Sequence, residues 1–462
     1  MNKSPRKIVI IGNGISGVTC ARHIRKKDEH AEILIISGET EHFFARTALM
    51  YIYMGHMKYE HTKPYEDWFW EKNRISLKKA WVSEVDFDSK ELVLAEEKRL
   101  SYDSLILATG SKPNTFGWPG QDLEGVQGLY SMQDLEKMEK STPHIRRAVV
   151  VGGGLIGIEM AEMFRSRDIP VTFLVREVNF WDNVLPKEEA QLINRHIRTH
   201  HIDLRLETEL AEILPDDLGR VRGVRTASGE EIPCEFVGLT VGVRPNIDFL
   251  KKNNEQLNKA AKSTLDLNRG ILVDGYFKTN MPDVYAIGDC AEFREAPALD
   301  RKSIEQVWYT GRMHGETLAH NLTSGTPVPY RPGVWFNSAK FMDIEYQTYG
   351  QVPPVLDSGT DSLYWEDNTG KSAIRFVYEQ ATQKILGVNA LGWRLRHAFF
   401  DAAISEGRTL EYVMEKLDKA NFNPEFFQNH IQEVLGAFNE KTGKTISRQK
   451  TSFFHRLIGS RA

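Results

Sequence analysis

The sequence predicts an α/β fold in which one dinucleotide-binding plan occurs twice, followed by a smaller α+β domain. Three observations carry that reading. Short β-branched runs alternate with helical segments, the pattern of a parallel sheet. The first such run ends in the glycine cluster Gly12-Asn13-Gly14-Ile15-Ser16-Gly17. A second cluster, Gly152-Gly153-Gly154-Leu155-Ile156-Gly157, stands in the same setting further along.

Taken in order, Lys7 to Ile11 is apolar on both faces, as a buried parallel strand should be. A helix is expected from the glycine turn to about Lys26, and Glu32 to Ile36 reads as the second strand. The aromatic stretch from Phe43 to Trp70 fits no simple period. Ala80 to Leu94 reads as a hairpin turning at Asp88-Ser89, and Leu105 to Ala108 rejoins the sheet before Thr109-Gly110. Lys112 to Gly128 is rich in Pro, Gly and Asn and reads as a linker. The plan then restarts, with strand Ala148 to Val151, helix Ile158 to Arg165 and strand Val171 to Val175. A hairpin follows around Ser228-Gly229, and strand Val237 to Val241 ends at Gly242. A further strand, Val284 to Ile287, is capped by Gly288-Asp289. Mixed strands, then helices after Arg394, predict the third domain. The expected boundaries are 1–118 with 247–325 for the first domain, 119–246 for the second and 326–462 for the third.

Composition narrows the function classes. A chain of 462 residues exceeds one ordinary core. Lys+Arg 59 against Asp+Glu 63 gives a net charge of −4, which argues against a nucleic-acid partner held by overall charge. Cys20, Cys234 and Cys290 form no CxxC pair, so neither a disulfide framework nor a zinc site is suggested. No apolar run approaches the ~20 residues of a spanning helix. The expectation is a reduced, cytoplasmic protein.

The glycine clusters have a mechanical meaning. In the first, Gly12 permits the tight turn, Gly14 lets backbone approach a pyrophosphate, and Gly17 lets helix and strand pack closely. The diphosphate then sits on the N–H groups and positive dipole end of the helix. Glu39, just past the second strand, is placed to hold ribose hydroxyls. Gly152, Gly154 and Gly157 repeat the arrangement. Two Rossmann-like units in one chain bring two redox cofactors together most economically.

These residues, with Ala108-Thr109-Gly110, Glu159, Val241-Gly242-Val243-Arg244-Pro245-Asn246 and Tyr285-Ala286-Ile287-Gly288-Asp289, occur in the order seen in one family. The chain resembles the pyridine nucleotide–disulfide oxidoreductase superfamily, over about residues 6 to 325. The remainder resembles more loosely the interface domain of its ferredoxin and rubredoxin reductase-like branch. The resemblance implies FAD in the first unit and NAD(P)H in the second. It implies Asp289 on the flavin's ribityl chain, with the following helix aimed at the isoalloxazine, and Glu159 near the nicotinamide. The implied reaction is hydride transfer from NAD(P)H to FAD, then electron passage to an external acceptor, a small redox protein such as a ferredoxin or rubredoxin. An NAD(P)H:quinone oxidoreductase and a redox-responsive interaction protein like apoptosis-inducing factor are the alternatives. The interface domain's role in the branch suggests a homodimer.

One departure bears on mechanism. Members with a single redox cysteine show a motif like Phe-x-x-Cys-Ala-Leu-Pro-Tyr. Here Phe44-Ala45-Arg46-Thr47-Ala48-Leu49-Met50-Tyr51 places Thr47 at the cysteine. A threonine hydroxyl neither ionises near neutrality nor forms a disulfide, so dithiol chemistry is not expected. Arg46 keeps the branch's arginine, but the lysine expected to pair with Glu159 is lost, with Tyr51 near its place. No catalytic acid or base is assigned, because the reaction needs positioning rather than proton transfer.

For the nicotinamide cofactor, Val175 falls where an NAD site places an acid, and Arg176 follows, favouring NADPH over NADH. Glu177, one residue on, is the competing candidate for the ribose. His196, His200 and His201 place an i, i+4 pair on a helix, read here as a solvated face with no metal. Tyr51, Tyr53, Tyr59, Tyr65, Trp68, Phe69 and Trp70 read as packing in preference to an acceptor surface. The basic tail, with Lys441, Lys444, Arg448, Lys450, Arg456 and Arg461 beside Phe453-Phe454 and Leu457-Ile458, reads as a packed terminus in preference to a membrane contact. Trp335-Phe336 opens the third domain, where aromatics of the branch reach the flavin.

Overall fold

The computed structural model describes residues 5–298, 300–424 and 427–448. The chain forms two compact units, one of residues 1–174 and 208–332, the other of residues 175–207 and 333–462.

In the first unit, β1 (Lys7–Ile11) runs through the glycine turn into α1 (Ile15–Lys27) and returns as β2 (Glu32–Ser37). With β3 (Ile75–Lys79), β4 (Ser104–Leu107) and the strand Val284–Ala286 they form one parallel sheet. Its order is Val284–Ala286, β4, β1, β2, β3. Ile8, Val9, Ile10 and Ile11 are all buried, the consequence of covering both faces of the central strand. The helix Trp308–Thr323 packs on α1 so closely that a Cβ on Gly315 would lie 2.5 Å from the Ser16 carbonyl oxygen.

The same unit holds the second plan. β5 (Val126–Gln127), β6 (Ala148–Val151), α2 (Leu155–Arg165), β7 (Val171–Leu174) and β8 (Phe236–Leu239) build a parallel sheet in which β7, β6, β8 and β5 are neighbours in that order. The stretch expected to be a linker is more ordered than its composition suggests. Val126–Gln127 completes this sheet, and Ser111–Pro113 pairs antiparallel with Val243–Pro245. Trp118 and Leu123 pack on the sheet's core, so apolar anchors override the Pro/Gly content.

The second unit centres on an antiparallel sheet of β9 (Phe336–Phe341), β10 (Ile344–Gly350), β11 (Thr360–Glu366), β12 (Ala373–Glu379) and β13 (Ile385–Leu391), ordered β9, β10, β13, β12, β11. Trp393, Phe376, Phe400 and Phe438 form its core, the last two from helices His397–Ser405 and Ile431–Thr442. Helix α3 (Lys187–Thr199) belongs to this unit. Arg375 of β12 pairs with Glu188 at 2.7 Å and Glu189 at 3.2 Å.

One expectation is corrected here. His196 does not belong to a solvated face, because it is 4% exposed and its Nε2 lies 2.6 Å from Asp343 Oδ1, whereas His200 is part-exposed and His201 exposed. The partner comes from a remote hairpin turn, which no local sequence window could reveal. In the basic tail, Lys441, Lys444 and Arg448 pair with Asp361, Glu411 and Asp418. Lys450, Phe453, Phe454, Arg456, Leu457, Ile458 and Arg461 lie outside the described residues. Among the described residues, no helix is long and apolar enough to cross a membrane.

Candidate dinucleotide-binding site

The first glycine turn meets each geometric demand of a diphosphate cradle. Gly12 has φ 114°, and a Cβ there would lie 2.0 Å from the Ala108 carbonyl oxygen. A Cβ on Gly17 would lie 2.2 Å from the Gly12 oxygen, so only hydrogen fits where helix meets strand. Around Gly14, by contrast, nothing lies within 4 Å of the Cβ position. A bare backbone facing open space at a helix start is what a phosphate needs. The second turn repeats the pattern: Gly152 has φ 112°, a Cβ on Gly157 would lie 2.4 Å from the Gly152 oxygen, and nothing lies within 4 Å of the Cβ position at Gly154.

The open space at the first turn belongs to a cavity of ≈ 690 Å³, within the roughly 300–1,000 Å³ of ligand sites. Gly12, Gly14, Glu39, Arg46, Thr109, Gly110 and Asp289 line it, as do Ile156 and Glu159 from the second turn's helix. Gly17, Gly152, Gly154, Gly157 and Gly288 stand outside its lining, as do Arg176 and Gly242. For Gly17 this agrees with a packing role. Arg176 lies in the second unit and pairs with Glu177 Oε1 at 2.9 Å.

The polar lining is held in a network. Arg46 grips Glu39 with two donors, at 2.8 and 2.6 Å, and the Met132 backbone N–H donates to the same carboxylate at 2.9 Å. The Arg46 guanidinium lies 4.5 Å from the Tyr130 ring centroid. Asp289 accepts from Ser111 Oγ at 3.0 Å and from the Tyr130 hydroxyl at 3.2 Å. Enclosure pushes the Asp289 carboxyl above its ordinary value, while those two donors and Arg46 pull it back. Thr109 Oγ1 donates to the Asn246 carbonyl at 2.9 Å, which ties the two strand ends together. Gly288 N–H donates to His314 Nδ1 at 3.2 Å, and burial holds that imidazole neutral, down to about 3.

Ser111, Tyr130, Gln306 and His314 carried no signal in the sequence. They reach the site through hydrogen bonds spanning many residues, such as Gln306 Nε2 to Ser111 Oγ at 2.6 Å. The helix expected just after Asp289 is also displaced. A single 3₁₀ turn and the strand Ala291–Phe293 come first, and the helix that lines the cavity starts at Trp308.

Most of the aromatic stretch packs, but Trp68 is 58% exposed. Tyr53 and Trp70 are buried and Tyr65 stacks on Phe69 at 4.6 Å; Phe43 and Phe44 line this cavity, whereas the rings from Tyr51 to Trp70 do not. The three cysteines are free and buried. Burial pushes every one of these thiols up, Cys234 to about 12.

A profile of pyridine nucleotide-disulphide oxidoreductases matches residues 6–315, most of the chain. The chain belongs to that family. Membership implies FAD and NAD(P)H as cofactors, and the glycine turns, the open space above Gly14 and Gly154, and the donor-rich lining fit them. Among curated family relatives, the chain is 31% identical over 350 residues to a nitrite reductase [NAD(P)H] of Bacillus subtilis. That match covers 75% of this chain but 41% of the relative, so the chain spans less than half of it. Rhodocoxin reductase of Rhodococcus erythropolis is 29% identical over 373 residues, 77% of this chain and 81% of that protein. The crystal structure of a ferredoxin reductase for the CYP199A2 system from Rhodopseudomonas palustris shares the fold, with a TM-score of 0.74 and 23% identity. It covers 91% of this chain and 96% of that one.

Proposed function

We propose that this chain is an FAD-dependent NAD(P)H oxidoreductase that passes electrons to a small redox protein. One observation carries the reading. The cavity at the first glycine turn is also lined by Ile156 and Glu159, the start of the helix that follows the second turn. A helix start from the second turn that reaches the first turn's cavity supports two cofactors held within reach of each other.

In this reading residues 1–118 and 247–325 hold FAD, and residues 119–246 hold the nicotinamide cofactor. When bound, the flavin supplies the redox chemistry, accepting electrons in a pair and releasing them to an acceptor. The chain's own residues position and insulate. Gly14 lets the backbone at the helix start approach the flavin's diphosphate, while Gly12 makes the turn and Gly17 lets the helix pack on the strand. Glu39, oriented by Arg46, accepts from ribose hydroxyls. Thr109 and Gly110 close the pocket wall, and Gly288 turns the chain so that Asp289, itself held by Ser111 and Tyr130, meets the ribityl hydroxyls. Gly152, Gly154 and Gly157 do for NAD(P)H what the first triad does for FAD, and Glu159 faces the nicotinamide. Gly242 (φ 87°) makes the turn that ends the second sheet.

NADPH is favoured because Arg176 follows the strand whose end meets the adenosine ribose, and its guanidinium is 71% exposed. The redox-protein acceptor is supported by Rhodocoxin reductase, a reductase similar over most of both chains. Three unpaired, buried cysteines suit a reducing compartment such as the cytoplasm.

The experiment is stopped-flow reduction of the purified flavoprotein by NADH and by NADPH, followed by acceptor screening. Rapid turnover on a ferredoxin or rubredoxin but none on quinones supports the proposal. A colourless folded protein that takes up no added flavin overturns it.

A further inference from the structure

We propose that His196, His200 and Asp343 form a binding site for one divalent transition-metal ion, with zinc as the favoured occupant. The site lies wholly within the second unit, apart from the dinucleotide cavity. His196 is in the last turn of α3 and His200 caps it, so the i, i+4 spacing turns both imidazoles to one side. Asp343 comes from the two-residue turn between β9 and β10, where Phe341 pairs with Ile344. Met342 of that turn has φ 55°, a backbone that the strand register fixes.

Three potential ligand atoms converge. His196 Nε2 lies 2.6 Å and His200 Nε2 3.0 Å from the same oxygen, Asp343 Oδ1, and the two nitrogens are 3.2 Å apart. Hydrogen bonding alone satisfies this triangle poorly. If both imidazoles donate to Oδ1, their N–H groups crowd each other at 3.2 Å; if one accepts from the other, it gives up the carboxylate. A cation at the centre engages all three lone pairs. Zinc with ligands at about 2.0–2.1 Å in tetrahedral geometry sets its ligand atoms about 3.3 Å apart, a small expansion of what is seen.

The surroundings favour a cation and leave a way in. The partial negative charge of the α3 C-terminus lies beside the site. Lys371 takes the other carboxylate oxygen, Oδ2, at 3.0 Å, so Oδ1 is the one turned to the imidazoles. His196 is buried, whereas the His200 and Asp343 side chains are 37% and 52% exposed, which opens a fourth position to water. Two nitrogens and one oxygen suit zinc, and select against calcium and magnesium, which prefer oxygen ligands. A bound ion would clamp helix α3 to the β9–β10 turn.

The test is calorimetric titration of zinc chloride into the untagged, chelator-treated holoprotein. One equivalent is expected to bind, with affinity falling on the order of 100-fold in His200→Ala and in Asp343→Asn. Both positions are partly exposed, and an unchanged circular dichroism spectrum and urea unfolding curve verify the fold of each variant. Lys371→Ala removes only the competing cation and should bind zinc at least as tightly as the native protein. Absence of stoichiometric binding, native affinity in both ligand variants, or loss of binding in Lys371→Ala would each overturn the assignment. None of these outcomes depends on the oxidoreductase reading, which the flavin absorbance tests separately.

Discussion

Replacing Gly154 and Gly157 by alanine adds the same methyl group three residues apart, and the structure predicts opposite consequences. At Gly154 the backbone is extended, with φ −117° and ψ −176°, and nothing lies within 4 Å of the new Cβ. Folding should therefore be unharmed, or gain about 0.4–1 kcal/mol from the stiffer unfolded chain. The methyl would occupy the space where a diphosphate meets the helix start and displace it from the first-turn N–H groups. Loss of one hydrogen bond to a charged group costs about 1.5–3 kcal/mol, equivalent to roughly 10- to 150-fold weaker NAD(P)H binding. At Gly157 the Cβ would sit 2.4 Å from the Gly152 oxygen and 2.9 Å from the Phe173 ring. Gly152 belongs to the turn itself and cannot yield, so overpacking should cost about 1–3 kcal/mol or more. The assay is the nicotinamide concentration dependence of flavin reduction, paired with urea unfolding of each variant. Native NAD(P)H affinity in a fully folded Gly154→Ala protein would refute the assignment of the second turn.

Four further outcomes follow from the same geometry. Glu39→Gln removes the charge from a pair that Arg46 holds with two bonds, so FAD should bind weaker by about 1.5–3 kcal/mol, read as the flavin content of dialysed protein. His314 is buried and neutral with its pKa near 3, against 6.5 when unfolded, so the unfolded chain binds a proton that the native one excludes. Stability therefore rises with pH between about 3 and 6.5, and from pH 5 to 7.5 the gain should be about 2 kcal/mol, absent in His314→Gln by urea titration at the two pH values. Arg176→Ala should raise KM for NADPH by about tenfold or more and leave KM for NADH nearly unchanged, since NADH has no 2′-phosphate to draw the guanidinium from Glu177. Native protein should show no fast reaction with a thiol reagent, because Cys20, Cys234 and Cys290 are all buried, and replacing the three with alanine should leave flavin reduction intact. A rapidly titrating thiol would reopen thiol chemistry.

The two dinucleotide plans were legible in the sequence because their causes are local. A strand covered on both faces must be apolar throughout, and a turn that admits no Cβ must be glycine, so Gly12, Gly17, Gly152 and Gly157 announce themselves. Gly14 and Gly154 are legible for the opposite reason, since their spacing in the motif implies a ligand where the chain leaves room. The residues that complete the site could not be read in this way. Ser111 and Tyr130 meet Asp289 across 178 and 159 positions, and any polar side chain in those windows would look the same.

Composition also misled where tertiary contacts overruled it. Pro and Gly between Lys112 and Gly128 suggested a loose connection, yet Trp118 and Leu123 anchor it and a short strand at each end pairs with a distant strand. The His196–His200 spacing was visible, but the environment that buries it was not, because Asp343 arrives from a hairpin 143 residues beyond His200. The sequence by itself determined the repeated fold plan and the backbone grips for two diphosphates, because steric limits on φ, ψ and Cβ act within a few residues. Only the tertiary structure decided which side chains orient Glu39 and Asp289 and which carboxylate meets the two histidines. Those choices depend on contacts between distant segments, which local sequence does not encode.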